Sequence, residues 1–182
     1  MMRISSIFDG LLVLQYRSGD RKALGILVTR YHRKLCRHAY WYIRDAEASA
    51  DVVQDSWQMV IRHLGSLKDP NKFGPWAMKI VTRKSLDYLE LKKRQKEMLQ
   101  DELHTRQTEA AALDPLQHNR EQLQRLKAAI GELSREHQEV LRLFYLEGYT
   151  LKDMGTILEL SVGTVKSRLF HAREKLKTIL IK

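Results

Sequence analysis

The sequence predicts an all-α protein of two small helical domains joined by a linker, the second of them a helix-turn-helix. Three observations carry that expectation. Only three prolines and nine glycines occur in 182 residues. Apolar residues recur at spacings of three and four over long stretches, and no run alternates apolar and polar residues for the length of a strand. The charge also divides the chain: residues 1–94 carry +9, residues 95–120 carry −2 and residues 121–182 carry +3. The expected domains are therefore 1–94 and 121–182, with 95–120 between them.

A net charge of +10 and a pI near 9.8 favour an anionic polymer, held by Coulomb attraction and counterion release. That makes nucleic acid or an anionic membrane surface the leading partner class. No stretch approaches the roughly 18 to 20 apolar residues of a membrane span, and the first residues lack a signal peptide's apolar core. No membrane insertion is expected, and the expected location is the cytoplasm. The single cysteine, Cys36, excludes an internal disulfide framework and fits a reducing compartment. His32, Cys36 and His38 lie close in sequence, but only His32 and Cys36 share a helical face and no second pair follows. A structural zinc site usually needs four ligands, so neither metal nor cofactor is expected, and the group reads as a buried thiol beside surface histidines.

Residues 45–64 form the first clear helix, with Ala46, Ala50, Val53, Trp57, Val60 and Leu64 at the spacing of one face. The other face carries Glu47, Asp51 and Asp55 four apart, with Gln54 and Gln58 beside them. An acidic stripe in a basic protein suits a basic protein surface better than DNA, although an ordinary solvated face is the plainer alternative. Repulsion along such a ladder costs stability unless a partner or solvent relieves it. A loop at Gly65 to Asn71 leads to a helix with Phe73, Trp76, Ala77, Ile80, Val81 and Tyr88 as apolar contacts. Lys68, Lys72, Lys79, Arg83 and Lys84 flank it. A polar loop between packed helices can hold an unstacked base while cations hold the strand's phosphates. Trp41, Trp57 and Trp76 are assigned to the core instead of to base stacking.

The segment 95–120, with Gln100, Thr105, Gln107, Thr108 and Asp114-Pro115, shows little apolar periodicity and reads as a linker, partly helical at most. Beyond it, Ser134 is placed to cap a helix running to about Leu146, with Val140, Leu141, Phe144 and Tyr145 as its apolar face and Gly148 as its stop. Thr150-Leu151-Lys152-Asp153 has the form of a capping box, opening a helix with Leu151, Met154, Ile157 and Leu158. Ser161 caps the last helix, whose inward stripe is Val165, Leu169, Ala172 and Leu176. Val162, Gly163, Lys166, Ser167, Phe170 and Arg173 face elsewhere. From Thr164 to Lys182 there are six basic residues and one acidic. Small residues at that helix's amino end allow close approach to a major groove. Any three-helix bundle with a solvated basic face would share part of this pattern.

The runs Leu151-Lys152-Asp153-Met154-Gly155 and Ser161-Val162-Gly163-Thr164-Val165-Lys166-Ser167-Arg168 together resemble region 4.2 of bacterial sigma factors of the extracytoplasmic-function group. That resemblance assigns Val162, Gly163, Thr164, Lys166, Ser167, Arg168, Phe170 and Arg173 to the duplex of a minus-35 element. Lys166, Arg168 and Arg173 would make the phosphate or guanine contacts. Asp51-Val52-Val53-Gln54-Asp55-Ser56-Trp57 resembles region 2.2, which implies that Glu47, Asp51, Gln54, Asp55 and Gln58 dock on the coiled coil of the largest subunit of core RNA polymerase. Leu11-Leu12, Ser18-Gly19-Asp20, Ala23-Leu24 and Leu27 through Tyr31 resemble the opening of the same domain, with Leu35, Tyr40 and Trp41 in its core. Regions 2.3 and 2.4 would then supply a pocket for a flipped minus-10 base from Ser66, Lys68, Asp69 and Asn71. Lys72, Lys79 and Arg83 would lie on the strand or duplex.

The chain departs from the family pattern at Gly155, usually alanine, at Glu159, usually glycine, at Phe170 and His171, usually more polar or basic, and at Arg83, often asparagine. Glu90 also falls in a tract that is usually basic. A linker this short leaves no room for the further domain of larger sigma factors. The implied partners are core RNA polymerase, promoter DNA and an anti-sigma factor. An autonomous helix-turn-helix regulator is the second reading, although no heptad seam for a dimer is present. Nothing in the sequence points to a catalytic site: no phosphate-binding glycine loop or nucleophile–base pattern occurs.

Overall fold

A computed structural model describes residues 4–99 and 117–181, with side chains over 4–97 and 124–181. The described residues are helical, with no strand among them, and divide into two compact units. The first unit contains α1 (Ile4–Arg17), α2 (Arg21–Ile43), α3 (Ala46–His63) and α4 (Phe73–Leu99). The second is built from α5 (Gln117–Gly131), α6 (Arg135–Leu141), the first part of α7 (Leu151–Leu158), through Gly155, and α8 (Val162–Ile181). Helix thus extends into both ends of the segment 95–120, whose residues 100–116 lie outside the described part.

Helices α2 and α3 of the first unit start where a carboxylate can accept an otherwise unpaired backbone N–H. Asp20 accepts Lys22 N–H at 2.9 Å ahead of α2, and Asp45 accepts Ala48 N–H at 3.0 Å ahead of α3. The turn before α2 needs Gly19, at φ +104. Helix α2 packs against the other three. Their shared core holds Leu12, Val13, Leu27, Leu35, Val53, Val60, Leu64, Phe73, Met78 and Val81, all at most 2% exposed. Phe73 is its centre: the rings of Tyr31, Trp57 and Trp76 lie 5.1, 6.4 and 6.2 Å from it.

Several expectations need correction here. The buried face of α3 is Ser49, Val52, Val53, Ser56, Trp57 and Val60, and Ala46 and Ala50 are exposed. Serines can take this face because each satisfies its own hydroxyl on the preceding turn: Ser56 donates to Val52 O at 2.7 Å and Ser49 donates to Asp45 O. Tyr40 is exposed, and Tyr42 takes the buried place. His38 is wholly buried, 2.7 Å from Thr82 Oγ1, instead of on the surface. Thr82 spends its hydroxyl proton on Met78 O at 2.9 Å, so His38 Nε2 must be the donor between the two. Cys36 is half-buried, and burial raises its thiol pKa. Its Sγ lies 3.6 Å from His32 Nε2. Among the described residues no group of three or more acidic, His or Cys side chains could hold a metal ion.

In the second unit α8 packs on α6 and α5; Val165, Leu169 and Ala172 of α8 are buried, as are Val140, Leu141 and Leu143. Ser134 stands at the cap position of α6 with extended backbone but makes no side-chain cap bond. The expected straight helix to Leu146 is instead α6 followed by a π-helical turn, Arg142–Leu146. Glu147 N–H bonds Arg142 O at 3.0 Å across the widened turn, and Tyr149 N–H bonds Leu143 O at 2.9 Å. Gly148, at φ +65, permits that closure. One consequence is that Leu143 is buried while Tyr145 is 59% exposed, so Tyr145 does not belong to the apolar face.

Candidate nucleic-acid interface

The start of α7 is the capping box expected of its sequence. Asp153 N–H bonds Thr150 Oγ1 at 3.1 Å, and Asp153 Oδ2 accepts Thr150 N–H at 3.3 Å and its hydroxyl at 2.7 Å. The turn to α8 is close. Leu160 N–H bonds Gly155 O at 3.0 Å, and a Cβ on Gly155 would stand 2.9 Å from Leu160 O. Glu159 adopts the left-handed conformation at φ +56, which explains why glycine suits that position. Ser161 then opens α8: its Oγ accepts Thr164 N–H at 3.0 Å and lies 2.8 Å from Thr164 Oγ1.

With Val165, Leu169 and Ala172 inward, Val162, Lys166, Phe170 and Arg173 fall at spacings of four, four and three along one exposed face. Gly163 and Ser167 are exposed beside it. The face spans about 16 Å at the α-helical rise, which matches the scale of a recognition helix in a major groove. Thr164 is half-buried and engaged with the cap. Arg168 does not share the face: it turns toward α6, where its Nη2 lies 3.4 Å from Glu136 Oε1. Arg173 extends over the rings of Phe144 and Tyr145, at 5.3 and 5.4 Å from their centroids.

In the first unit Glu47, Asp51, Gln54, Asp55 and Gln58 are all exposed along α3. Glu47, Asp51 and Asp55 wall an open groove of about 320 Å³ that Asp45 and Tyr88 complete. Lys84 Nζ approaches Asp55 Oδ2 at 3.5 Å and Lys92 lies over the Tyr88 ring at 5.7 Å, so cations already border it. Four carboxylates in one groove attract a cationic side chain, and Tyr88 offers a flat surface beside them.

The loop after α3 is held from an unexpected side. Arg17, at the end of α1, donates from Nη2 to Leu64 O at 3.2 Å and also to Leu67 O. Gly10 of α1 leaves the space that the Asn71 carboxamide fills: a Cβ there would lie 2.2 Å from Asn71 Oδ1. Asp69 accepts Asn71 N–H at 3.0 Å, capping the short turn Pro70–Lys72, and Ser66 donates to His63 O at 2.9 Å. Asp69 and Asn71 therefore shape the loop, while Ser66 and Lys68 stand exposed on it. Lys72 and Lys79 are half-buried, and Arg83 is exposed one turn beyond Lys79.

Behind the loop, Asp9 is 2% exposed and accepts Arg30 Nε–H at 3.0 Å and the Tyr31 hydroxyl at 2.5 Å. Burial and then the hydrogen bond to Asp9 push the Tyr31 hydroxyl far above its ordinary pKa. Tyr31 can lie across the start of α4 because Gly74 has no side chain, its hydroxyl being 2.7 Å from where a Cβ would stand. Sequence reasoning missed Asp9, Gly10, Arg17, Arg30 and Gly74 as parts of this assembly. An Asp-Gly pair inside the apolar helix Ile4–Arg17 was the available signal.

Comparisons with known proteins agree with this arrangement. Residues 27–95 match the family described as Sigma-70 region 2, and residues 123–176 match Sigma-70, region 4. The RNA polymerase sigma-H factor of Pseudomonas aeruginosa is 26% identical over 180 residues, spanning 94% of this chain and 93% of that protein. The ECF RNA polymerase sigma-E factor of Escherichia coli K12 is 27% identical over 174 residues, 91% of each chain. The solved structure of CnrH in complex with the cytosolic domain of CnrY matches with a TM-score of 0.64 at 26% identity, covering 95% of this chain and 97% of that one. The sigma factor RpoE of Bartonella quintana, solved with the anti-sigma factor NepR, has the same fold at a TM-score of 0.64 and 24% identity, covering 87% and 97%. A region 2 unit with an acidic α3, a region 4 helix-turn-helix and relatives matching over nearly their whole length place this chain in the sigma-70 family, in its extracytoplasmic-function group.

Proposed function

We propose that this chain directs RNA polymerase to promoters through three surfaces with separate tasks. The acidic face of α3, from Glu47 to Gln58, docks on a basic surface of core polymerase, the coiled coil of its largest subunit. The exposed face of α8, with Val162, Gly163, Lys166, Ser167, Phe170 and Arg173, reads the minus-35 duplex. Arg168, held by Glu136, serves the helix's seating more than base contact. The loop with Ser66 and Lys68, shaped by Asp69 and Asn71 and bordered by Lys72, Lys79 and Arg83, captures the minus-10 non-template base and its strand.

The observation that carries the reading is the pairing of opposite surfaces in one chain: an exposed carboxylate ladder on α3 and an exposed face on α8 that carries Lys166 and Arg173. The first suits a protein partner and the second a nucleic acid. The chain contributes recognition and strand capture, and polymerase supplies the chemistry, so no active site is assigned to it. Its place of action is where core polymerase and DNA are, the cytoplasm. No described helix is long and apolar enough to cross a membrane. The similarity to CnrH, solved in complex with the cytosolic domain of CnrY, supports a further protein partner for this chain, the place an anti-sigma factor would take.

Run-off transcription on genomic fragments with purified core polymerase, with and without the chain, tests the reading. Starts that depend on the chain and share two spaced upstream motifs are expected. Duplex binding with no core-dependent start would instead establish an autonomous helix-turn-helix regulator.

A further inference from the structure

Two neighbouring aromatic residues meet one arginine in the second unit. We propose that Phe144 and Tyr145 are positioning residues for Arg173, fixing its guanidinium at the far end of the DNA-reading face of α8. This rests on the assignment of that face to duplex DNA.

The guanidinium carbon of Arg173 lies 5.3 Å from the Phe144 ring centroid and 5.4 Å from that of Tyr145. Both are inside the roughly 6 Å reach of a cation–π contact. The two rings are themselves 5.0 Å apart and nearly perpendicular, at 80°, so they meet the guanidinium as two walls of a corner. An exposed arginine on a bare helix samples many rotamers, and a hydrogen bond to DNA must then select one of them. Contact with ring faces narrows that choice. It leaves the in-plane N–H groups free, and those are the groups that reach a phosphate or the edge of a guanine.

The backbone explains how consecutive residues come to share this task. Successive side chains on a regular α-helix point about 100° apart, and the sequence places Phe144 and Tyr145 on a core face. The π-helical turn Arg142–Leu146 changes that, burying Leu143 and leaving Phe144 half-buried and Tyr145 exposed. Single π turns inside helices often mark functional positions. The ladder on α8 does the rest: Arg173 follows Lys166 and Phe170 by seven and three residues on the exposed face, so an arginine held there extends the line of contacts.

The test is a double-mutant cycle on holoenzyme assembled from the full chain and core polymerase. It is read as the affinity for a fluorescent duplex carrying the mapped promoter, over a range of salt. Arg173→Ala should weaken binding about tenfold and reduce the salt slope by about one. Tyr145→Ala should lose part of that affinity, about threefold to fivefold, Tyr145→Phe should keep it, and Phe144→Leu, which preserves packing volume, should resemble Tyr145→Ala. In the Arg173→Ala background, Tyr145→Ala should cost nothing further, and core binding should be unchanged in every variant. If Tyr145→Ala costs as much without Arg173 as with it, or costs nothing with it, the positioning role is overturned while the DNA face stands. If Arg173→Ala binds the duplex like the parent, the assignment of Arg173 to DNA is itself overturned.

Discussion

Gly155 shows how one missing atom can set the geometry of a recognition unit. Inside a helix, alanine is ordinarily better than glycine by about 1 kcal/mol, which would predict that Gly155→Ala stabilises α7. The added Cβ would instead stand 2.9 Å from Leu160 O, a backbone atom of the turn into α8. Gly155→Ala should therefore lower stability by about 1 kcal/mol or more, because the turn has to shift as a unit. Thermal melting checks it, and a raised midpoint would contradict the close approach. His137 gives a second residue-scale expectation. Its Nδ1 is buried with no partner, and burial, then the charge of Lys175, lowers its pKa, with Glu136 opposing. The unfolded chain therefore binds the proton more readily, so stability present above the ordinary value of 6.5 falls as pH drops through it. His137→Gln should flatten the dependence of unfolding midpoint on pH between about 7 and 5.

At the scale of elements, α1 matters more than its sequence suggests. It braces the loop after α3 through Arg17 on Leu64 O and Leu67 O and through the Gly10 notch that seats Asn71. Charge-assisted bonds of this kind are worth about 1.5 to 3 kcal/mol each when their acceptors are shielded. Arg17→Ala should therefore reduce promoter opening, measured by permanganate reactivity of unpaired thymines, about tenfold or more, with core binding intact. Unchanged reactivity would show that the loop keeps its shape without the brace. For α3, reversing Asp51 and Asp55 to lysine should abolish pull-down of core polymerase while leaving duplex binding in place. Asp51 carries the cleaner signal, since Asp55 already lies 3.5 Å from Lys84.

Over the whole molecule, surfaces in two compact units act on one promoter. Covalent linkage makes the second contact intramolecular, so modest separate affinities can yield a selective complex. Expressed as separate chains, residues 1–99 and 117–182 should bind core polymerase and minus-35 duplex respectively. Mixed with core, they should support initiation about 100-fold less efficiently than the intact chain. Equal activity of the mixture would show that the connection contributes no effective concentration.

Local sequence determined much of this protein by itself. The capping box at Thr150–Asp153, the Ser161 cap, the inward stripe Val165, Leu169 and Ala172 and the exposed acidic stripe on α3 all depend on spacings within one or two helical turns. Those spacings are set by 3.6 residues per turn, whatever the rest of the chain does. What the sequence left open depends on contacts between distant positions. Arg17 meets Leu64 across 47 residues, His38 meets Thr82 across 44 and Asp9 meets Tyr31 across 22. The face of α3 turned inward was decided by packing, because serines that bond their own backbone can be buried in place of alanines. The π turn Arg142–Leu146, whose Phe144 and Tyr145 rings meet Arg173 of α8, likewise shows only in the folded structure. A side chain's spacing along a helix is local, but whether that side chain meets water, core or a neighbouring charge is settled only by the elements packed against it.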